Sequence, residues 1–479
     1  MATCERSIPP SSADSAAQPE HLLVFARFPE AGKTKTRLIP ALGAERAAAV
    51  SRHLTQRTFE TAQRFAARRN CLLTICFSGG STHIMQAQFG TDHRYAEQLG
   101  NCLGSRLTHA TQRAFDDGAR RVVVIGTDCA ELTVADLTAA FDKLRAHDVV
   151  LGPAIDGGYY LIGLGRSQPP LFQNIDWGSE RVLQQTKAAI GQLPKAQGPN
   201  APALNSPDSN AKNFDAPDSN ALAELRPLAD IDEPEDLLPL RSPDRPHSAG
   251  LFTTTPGRLS IIIPTLNEAE QLPETLRAIG AVDSHAMEVI VVDGGSRDAT
   301  LAIAQQHGCK TLLSKPGRAR QMNAGAAIAS GENLLFLHAD TLLPSGYQAA
   351  IDECLTAGHI AGAFRLGIAA NSPGLRWVAW GANARSRYRQ FPYGDQGIFL
   401  RSQEFFRLGG YRDLSLMEDF ELVDRLRRRG RVGLLSQSVS TSGRRWQRRG
   451  VLKTTLINQL CIAAYRLGCS TTTIAKLYR

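Results

Sequence analysis

Two short apolar runs constrain this chain more than any other feature. Residues 22–26 read LLVFA and lead into RFPEAGKTKTRL; residues 259–263 read LSIII and lead into PTLNEAEQL. Each run opens a stretch in which strand-like and helix-like patterns alternate. In the first half, strand patterns lie near 71–78, 121–126 and 148–152, and helical patterns around 44–68 and 133–146. In the second half, strands are expected near 287–292, 310–313 and 333–338, with helices at 298–307 and 317–330. Such alternation predicts mostly parallel sheets covered by helices on both faces. A chain of 479 residues is also too long for one ordinary core. The reading is two α/β domains in tandem, 20–240 and 258–479. Residues 1–19 are expected to be disordered, and 241–257 to be a Pro-rich linker. Within the first domain, 195–221 is rich in Pro, Asn, Ser and Asp and repeats SPDSNA as APDSNA. That composition cannot bury a core, so a disordered insert is expected.

Nine cysteines are scattered with no CxxC pair, which suits reduced thiols in a cytosol better than a disulfide frame. No signal-peptide pattern opens the chain, and no run reaches the ~20 apolar residues of a membrane span. A cytoplasmic protein is expected, or one resting on the cytoplasmic face of a membrane. The net charge is +8, with arginines crowded into 425–449. Such a cluster suits phosphate, nucleic acid or anionic lipid, and equally a solvated helix face. No zinc knuckle, ribonucleoprotein aromatic motif or helix-turn-helix accompanies it, so no nucleic-acid partner is expected. Residues 451–467 carry apolar side chains at 452, 456, 460, 463 and 467, a helical stripe. It reads either as a helix packed on its own domain or as an amphipathic helix in peripheral contact with anionic lipid.

In open α/β sheets, ligands sit beyond the carboxyl ends of the strands. In the second half those positions hold Pro264, Asn267 and Glu268 after the first strand, and Asp293 in DGGSRDAT. They also hold His338 and Asp340 in FLHADT. The helix between opens GRARQMNAGAAIA, with Arg318, Arg320 and Asn323. Asp395 and Gln396 follow in YGDQGIF, and Glu418 and Asp419 in SLMEDFELVDRLRRRG. Singly, each Asp reads as a helix cap or turn. Together they suit a nucleotide diphosphate: a carboxylate for ribose or base, hard oxygens for a divalent cation, cations for phosphate, and a carboxylate base for an acceptor hydroxyl.

With these motifs in this order, residues 258–450 resemble the family 2 glycosyltransferases of the GT-A fold. The resemblance implies that Asp293 sits near the uracil or ribose of a nucleotide-sugar. Asp340 takes the metal-binding position of an Asp-x-Asp motif, for Mg2+ or Mn2+. Asp419, of the Glu418–Asp419 pair, takes that of the base in an inverting displacement. The chain departs from the pattern at His338, where the first Asp would stand, and keeps only Arg445 and Trp446 of a late Gln-x-x-Arg-Trp motif, with Ser442 in place of Gln. Processive polysaccharide synthesis is therefore not expected. More narrowly, the segment is similar to a "transferase 2" subgroup associated with radical-SAM and selenium-related genes, also tied to arsenosugar biosynthesis.

In the first half, Gly32, Lys33, Lys35 and Arg37 follow the first strand, a loop suited to an anion. GKT invites a P-loop reading, but that motif needs Gly at position 27, which is Arg27. Asp128 leaves a strand in VVVIGTDCAEL; Asp156, Gly157 and Gly158 precede another; Asp230 and Asp232 close the unit in ADIDEPEDL. This order resembles the nucleotidyltransferase-like GT-A domains, including the molybdenum-cofactor and phospholactate guanylyltransferases, and a companion "transferase 1" family of the same gene context. The likeness implies Lys33 and Arg37 on phosphate, and Asp128 with Asp230 or Asp232 on a divalent metal. Ala130 stands where those families have Pro.

The functional expectation is a bifunctional transferase. Its second domain moves a sugar from a nucleotide-sugar donor to a small-molecule or lipid acceptor, and its first is nucleotidyl- or glycosyl-transferase-like. The alternatives are a nucleotidyltransferase with an inactive second domain and, in another class, a basic nucleic-acid-binding protein.

Overall fold

The computed structural model describes residues 20–193, 222–244, 251–280, 285–369, 373–442 and 450–478. The expected disordered N-terminus and the insert 195–221 lie outside the described residues. The chain forms two compact units: residues up to Glu30 with Ser51–Asp230, and Ala31–Val50 with Ile231 onward.

The first unit is built on seven strands: β1 (Glu20–Arg27), β2 (Leu72–Ser78), β3 (Arg94–Glu97), β4 (Arg121–Ile125), β5 (Val149–Pro153), β6 (Tyr159–Leu164) and β7 (Leu222–Glu224). Their order is β3-β2-β1-β4-β6-β5-β7, parallel except where β6 runs against β4 and β5. Leu22, Val24, Val123 and Val150 are buried because helices cover the sheet, with Phe59, Phe65 and Phe141 packed on it. The helix Val134–Lys143 begins at a reciprocal cap: Thr133 Oγ1 accepts from the Asp136 amide, and Asp136 accepts from the Thr133 amide at 2.9 Å.

The second unit holds eight strands: β8 (Thr255–Thr265), β9 (Met287–Asp293), β10 (Lys310–Leu313), β11 (Gly331–Phe336), β12 (Thr341–Leu342), β13 (Ala361–Ala369), β14 (Ile398–Arg401) and β15 (Val432–Ser442). β8 already begins inside the stretch expected as a linker. The order is β10-β9-β8-β11-β14-β13-β15-β12. The block from β10 to β11 is parallel, and β14 runs antiparallel to both its neighbours. Both sheets are the largely parallel, helix-covered α/β layers expected, while Ala31–Val50 and residues 231–240, read as part of the first domain, group with the second unit. Thr265 pairs with Asp293, Phe336 with Ile262, and the Leu337 amide donates to the Ile262 carbonyl at 3.0 Å. This register brings the ends of β8, β9 and β11 to one edge, where the sequence motifs leave the sheet. Among the described residues no helix is long and apolar enough to cross a membrane.

Of the two readings open for the apolar stripe, a packed helix or an amphipathic surface helix, its described members around the helix Val451–Arg466 follow the exposed arrangement. Leu456 is 61% exposed, Leu460 48% and Leu467 83%, and Ala463 is exposed, while Thr454, Cys461 and Ile462 are buried. The helix packs on its unit through a mixed face, with Phe391, Phe420 and Tyr465 around Ile462. A hydrophobic stripe identifies a helical period but not which neighbour covers it.

Candidate active site

One cavity of about 260 Å³ in the second unit collects Arg318, His338, Asp340, Asp395, Glu418 and Asp419. These six come from four separate segments: the start of the helix Arg318–Ile328, the end of β11, the short 3-10 turn Gly394–Gln396, and the start of the helix Glu418–Arg427. Tyr393, Asn458, Cys461 and Tyr478 are among the other residues that line it. The sequence reading missed these four. They come from a turn and from the last two helices, and nothing local marks them as facing the site.

The Glu418–Asp419 pair is held by unusual backbone. Met417 precedes the helix at φ 73°, a left-handed conformation rare for a residue with a side chain. Three acids in the first helical turn meet the positive end of the helix dipole. The two carboxylates then diverge. Glu418 is 2% exposed and pairs with Arg318 Nη1 at 3.1 Å. Burial pushes Glu418 above the ordinary carboxylate range, Arg318 opposes that rise, and Asp419 adds to it. Asp419 faces the cavity. Its Oδ2 accepts the Gly394 amide at 2.7 Å and its Oδ1 the Phe420 amide at 2.7 Å. Each oxygen keeps a further lone pair for a hydroxyl proton. Gly394 passes between two site residues: a Cβ there would stand 3.1 Å from His338 Nε2 and 3.2 Å from Asp419 Oδ2.

Burial, then the charge of Arg318, pushes His338 down to about 3, so its imidazole is neutral and has a lone pair to offer a metal. Asp395 is raised to about 6 by burial; Arg385 opposes the shift, and Asp419 and Asp340 add to it. Among the described residues no three acidic, His or Cys side chains converge as a complete cation cage. The donor set instead fits the mode in which one or two protein groups hold Mg2+ or Mn2+ and substrate phosphates and water supply the rest. An Asp395 oxygen buried without a hydrogen-bond partner among the described residues shows the pocket still has acceptor capacity.

Other expected donor-side residues have different partners. Asp293 is 1% exposed; its Oδ1 accepts the Gly295 and Ser296 amides at 2.8 and 2.7 Å, which closes the DGGS turn. Asn267, at φ 56°, bonds Ser296 and the Arg297 amide; the Glu268 amide donates to Thr300; Pro264 lies in β8 beside Val292. These residues form the loop floor at the sheet edge rather than the cavity wall. Asn323 is buried and clamps the Tyr411 backbone through both amide atoms. Gln396 is fully buried and holds Phe364 and Ser386. Arg320 pairs with Asp413 at 2.6 Å. Arg445 and Trp446 lie outside the described residues.

Four arginines at the start of the basic run, all among the described residues, are engaged within the unit. Arg425 bonds Glu421 and the Leu408 and Gly410 carbonyls, Arg428 pairs with Asp424, Arg429 with Glu404, and Arg427 sits over Phe391.

The candidates of the first half divide between the units. Gly32, Lys33, Lys35 and Arg37 belong with the second unit, as does Asp232. Lys35 Nζ lies 2.9 Å from Asp232, and Arg37 lies 3.5 Å from it. The acid expected on a metal is thus neutralised by the cations expected on phosphate. Asp128, Asp156, Gly157, Gly158 and Asp230 belong to the first unit. Asp128 and Asp156 are exposed, and Asp156 accepts the Gly158 amide at 2.9 Å. Gly157 is required by space: at φ 94°, a Cβ would meet the Glu180 carbonyl oxygen at 2.2 Å.

The α/β fold thus gathers carboxylates from separate segments around one cavity at a sheet edge. Residues 260–376 match the model of Glycosyl transferase family 2, so the second unit carries a domain of that family. Residues 61–179 match the model described as Uncharacterized protein conserved in bacteria (DUF2064). A PGL/p-HBAD biosynthesis glycosyltransferase of Mycobacterium tuberculosis is 42% identical over 91 residues, 18% of this chain and 36% of that protein. A dolichyl-phosphate beta-glucosyltransferase of Drosophila melanogaster is 33% identical over 99 residues, 17% of this chain and 30% of that one. The chain thus matches about a third of the length of these relatives. A solved structure from Desulfovibrio desulfuricans, described as a nucleotide-diphospho-sugar transferase, is 31% identical, with 48% of this chain and 89% of that chain covered and a TM-score of 0.39.

Proposed function

We propose that the second unit transfers a sugar from a nucleotide-sugar donor to a hydroxyl on a small-molecule or lipid acceptor, with inversion. Asp419 takes the acceptor proton as the acceptor oxygen bonds the anomeric carbon and the bond from that carbon to the diphosphate breaks. The nucleoside diphosphate then leaves. Arg318, held by Glu418, offers the departing phosphates a positive charge. Asp340, aided by the neutral His338, would hold Mg2+ or Mn2+. When bound, that ion neutralises the charge that develops on the diphosphate. Of the acidic pair, Asp419 suits the base because Glu418 is buried against Arg318.

The observation that carries this reading is the convergence of Arg318, His338, Asp340, Asp395, Glu418 and Asp419 on one cavity from four separated segments. The loop floor of Pro264, Asn267, Glu268 and Asp293 would support the donor base and ribose. On the same reading the radical-SAM and selenium-associated subgroup fits the chain. The first unit acts as a companion nucleotidyl- or glycosyl-transferase-like domain, with Asp128 and the Asp156–Gly158 turn at its site. The protein works in the cytoplasm, and exposed leucines on Val451–Arg466 support contact with the membrane face. Incubation of the full chain with UDP- and GDP-sugars, with and without Mn2+, tests this. Metal-dependent release of the nucleoside diphosphate is expected; absence of both donor binding and release across the panel overturns the reading.

A further inference from the structure

A second cavity of about 810 Å³ opens between the helices Pro373–Arg389 and Val451–Arg466. That volume is within the ~300–1,000 Å³ range of small-molecule sites. Its walls are mainly apolar: Trp377 and Tyr388 are 71% and 82% exposed, and Val378 and Val451 line it with them. Large aromatics left exposed along one helix are costly to leave in water and mark a binding surface. Trp377 packs edge-on against Trp380 with centroids 5.6 Å apart.

The groove is continuous with the carboxylate pocket. Tyr393, Asp395 and Asn458 line both cavities. Arg385 lies over the Tyr393 ring at 3.4 Å and holds that junction. At the same point Asp395 Oδ1 and Asn458 Oδ1 are buried with no hydrogen-bond partner among the described residues. A buried acceptor left unmet is costly, so two of them at one place call for a ligand that brings hydroxyl donors.

We propose that the groove receives the apolar portion of the acceptor, an amphiphile whose hydroxyl end is bound by Asp395 and Asn458 and whose alkyl or prenyl part lies against Trp377 and Tyr388. This rests on the sugar-transfer reading of the adjoining pocket. A bilayer surface would cover the aromatics but would not reach the two oxygens at the floor, so a single amphiphile threaded into the groove fits better than a membrane face.

The test is a titration of the full chain by calorimetry with methyl, hexyl, octyl and decyl β-D-glucoside, each below its critical micelle concentration. Affinity is expected to rise about two- to fourfold per added methylene, the range for partial to full burial. Trp377→Ser, a change at an exposed position, should flatten that dependence while UDP and GDP binding stays as in the wild type. Asn458→Leu should weaken all four glucosides about five- to tenfold and keep the dependence on length. Affinity that ignores chain length, or a dependence that survives Trp377→Ser, overturns the proposal. So does binding to phosphatidylcholine–phosphatidylglycerol vesicles with no binding of monomeric glucosides, which would make the groove a membrane-docking face. Failure of nucleotide binding alone would count against the transfer reading and not against the groove.

Discussion

Replacing Asp419 by Asn separates chemistry from architecture less cleanly than its shape suggests, and the structure allows the difference to be estimated. Both carboxylate oxygens accept backbone amides, from Gly394 and from Phe420, each at 2.7 Å. An asparagine has one acceptor oxygen, so its NH2 group must face one of those two N–H donors. The loss of one charge-assisted bond is worth about 1.5–3 kcal/mol. At about 2–4 °C per kcal/mol in a domain of this size, melting should fall by about 3–12 °C. Removal of the base should lower turnover by about 10²–10⁴. Donor affinity should stay within about threefold, because Asp419 takes no part in holding the diphosphate. The measurements are thermal melting, donor titration in the presence of Mn2+, and product formation at a temperature well below the variant's melting point. Turnover at the wild-type rate would refute the role of Asp419. Lost turnover together with lost donor binding would show that the Gly394 turn had collapsed, and the inference about proton transfer would fall with it.

Asp340→Ala is expected to weaken metal-dependent donor binding and to slow turnover; equal donor affinity with and without EDTA in the wild type, unchanged in the variant, would remove the cation from the site. Glu288 offers a pH test away from the site. Burial raises its pKa, but Lys310, Ser260 and Ser330 outweigh that and hold it at about 2 instead of the ordinary 4.5. Its folded pKa is depressed, so its contribution, on the order of 3 kcal/mol, is present above pH 4.5 and lost as pH falls toward 2. Melting curves of Glu288→Gln should therefore start lower at neutral pH and converge on wild type across that window; parallel curves would contradict this. Gly157→Ala should destabilise the first unit by about 2–4 kcal/mol, since the new Cβ meets the Glu180 backbone and φ is positive; an unchanged melting profile would show that the turn can yield.

The first strands of each sheet, their parallel character and the acids at their ends were legible in the linear chain, whereas β3, β7 and β12–β15 and the antiparallel course of β6 and β14 were not. Burial of a strand on both faces demands an uninterrupted apolar run, as in Ile261–Ile263 and Leu334–Leu337, and the polar residue that ends it is visible at once. Asp340 and the Glu418–Asp419 pair could be singled out because a strand end and a helix start are local events. Which partner each polar atom chooses is not local. Asp293 accepts the amides of Gly295 and Ser296, Gln396 is consumed by Phe364 and Ser386, and Asn323 by Tyr411, 88 residues away. Lys35 meets Asp232 across 197 positions and Arg318 meets Glu418 across 100. Leu456 and Leu460 obey a helical period yet lie exposed, because the surrounding elements cover the face of Cys461 and Ile462 instead. Periodicity and strand-end chemistry follow from the backbone's own geometry, so the sequence by itself determined them. Hydrogen-bond partners, the choice between Glu418 and Asp419, and the junction of Tyr393, Asp395 and Asn458 depend on which distant segments pack together, and only the tertiary structure decided those.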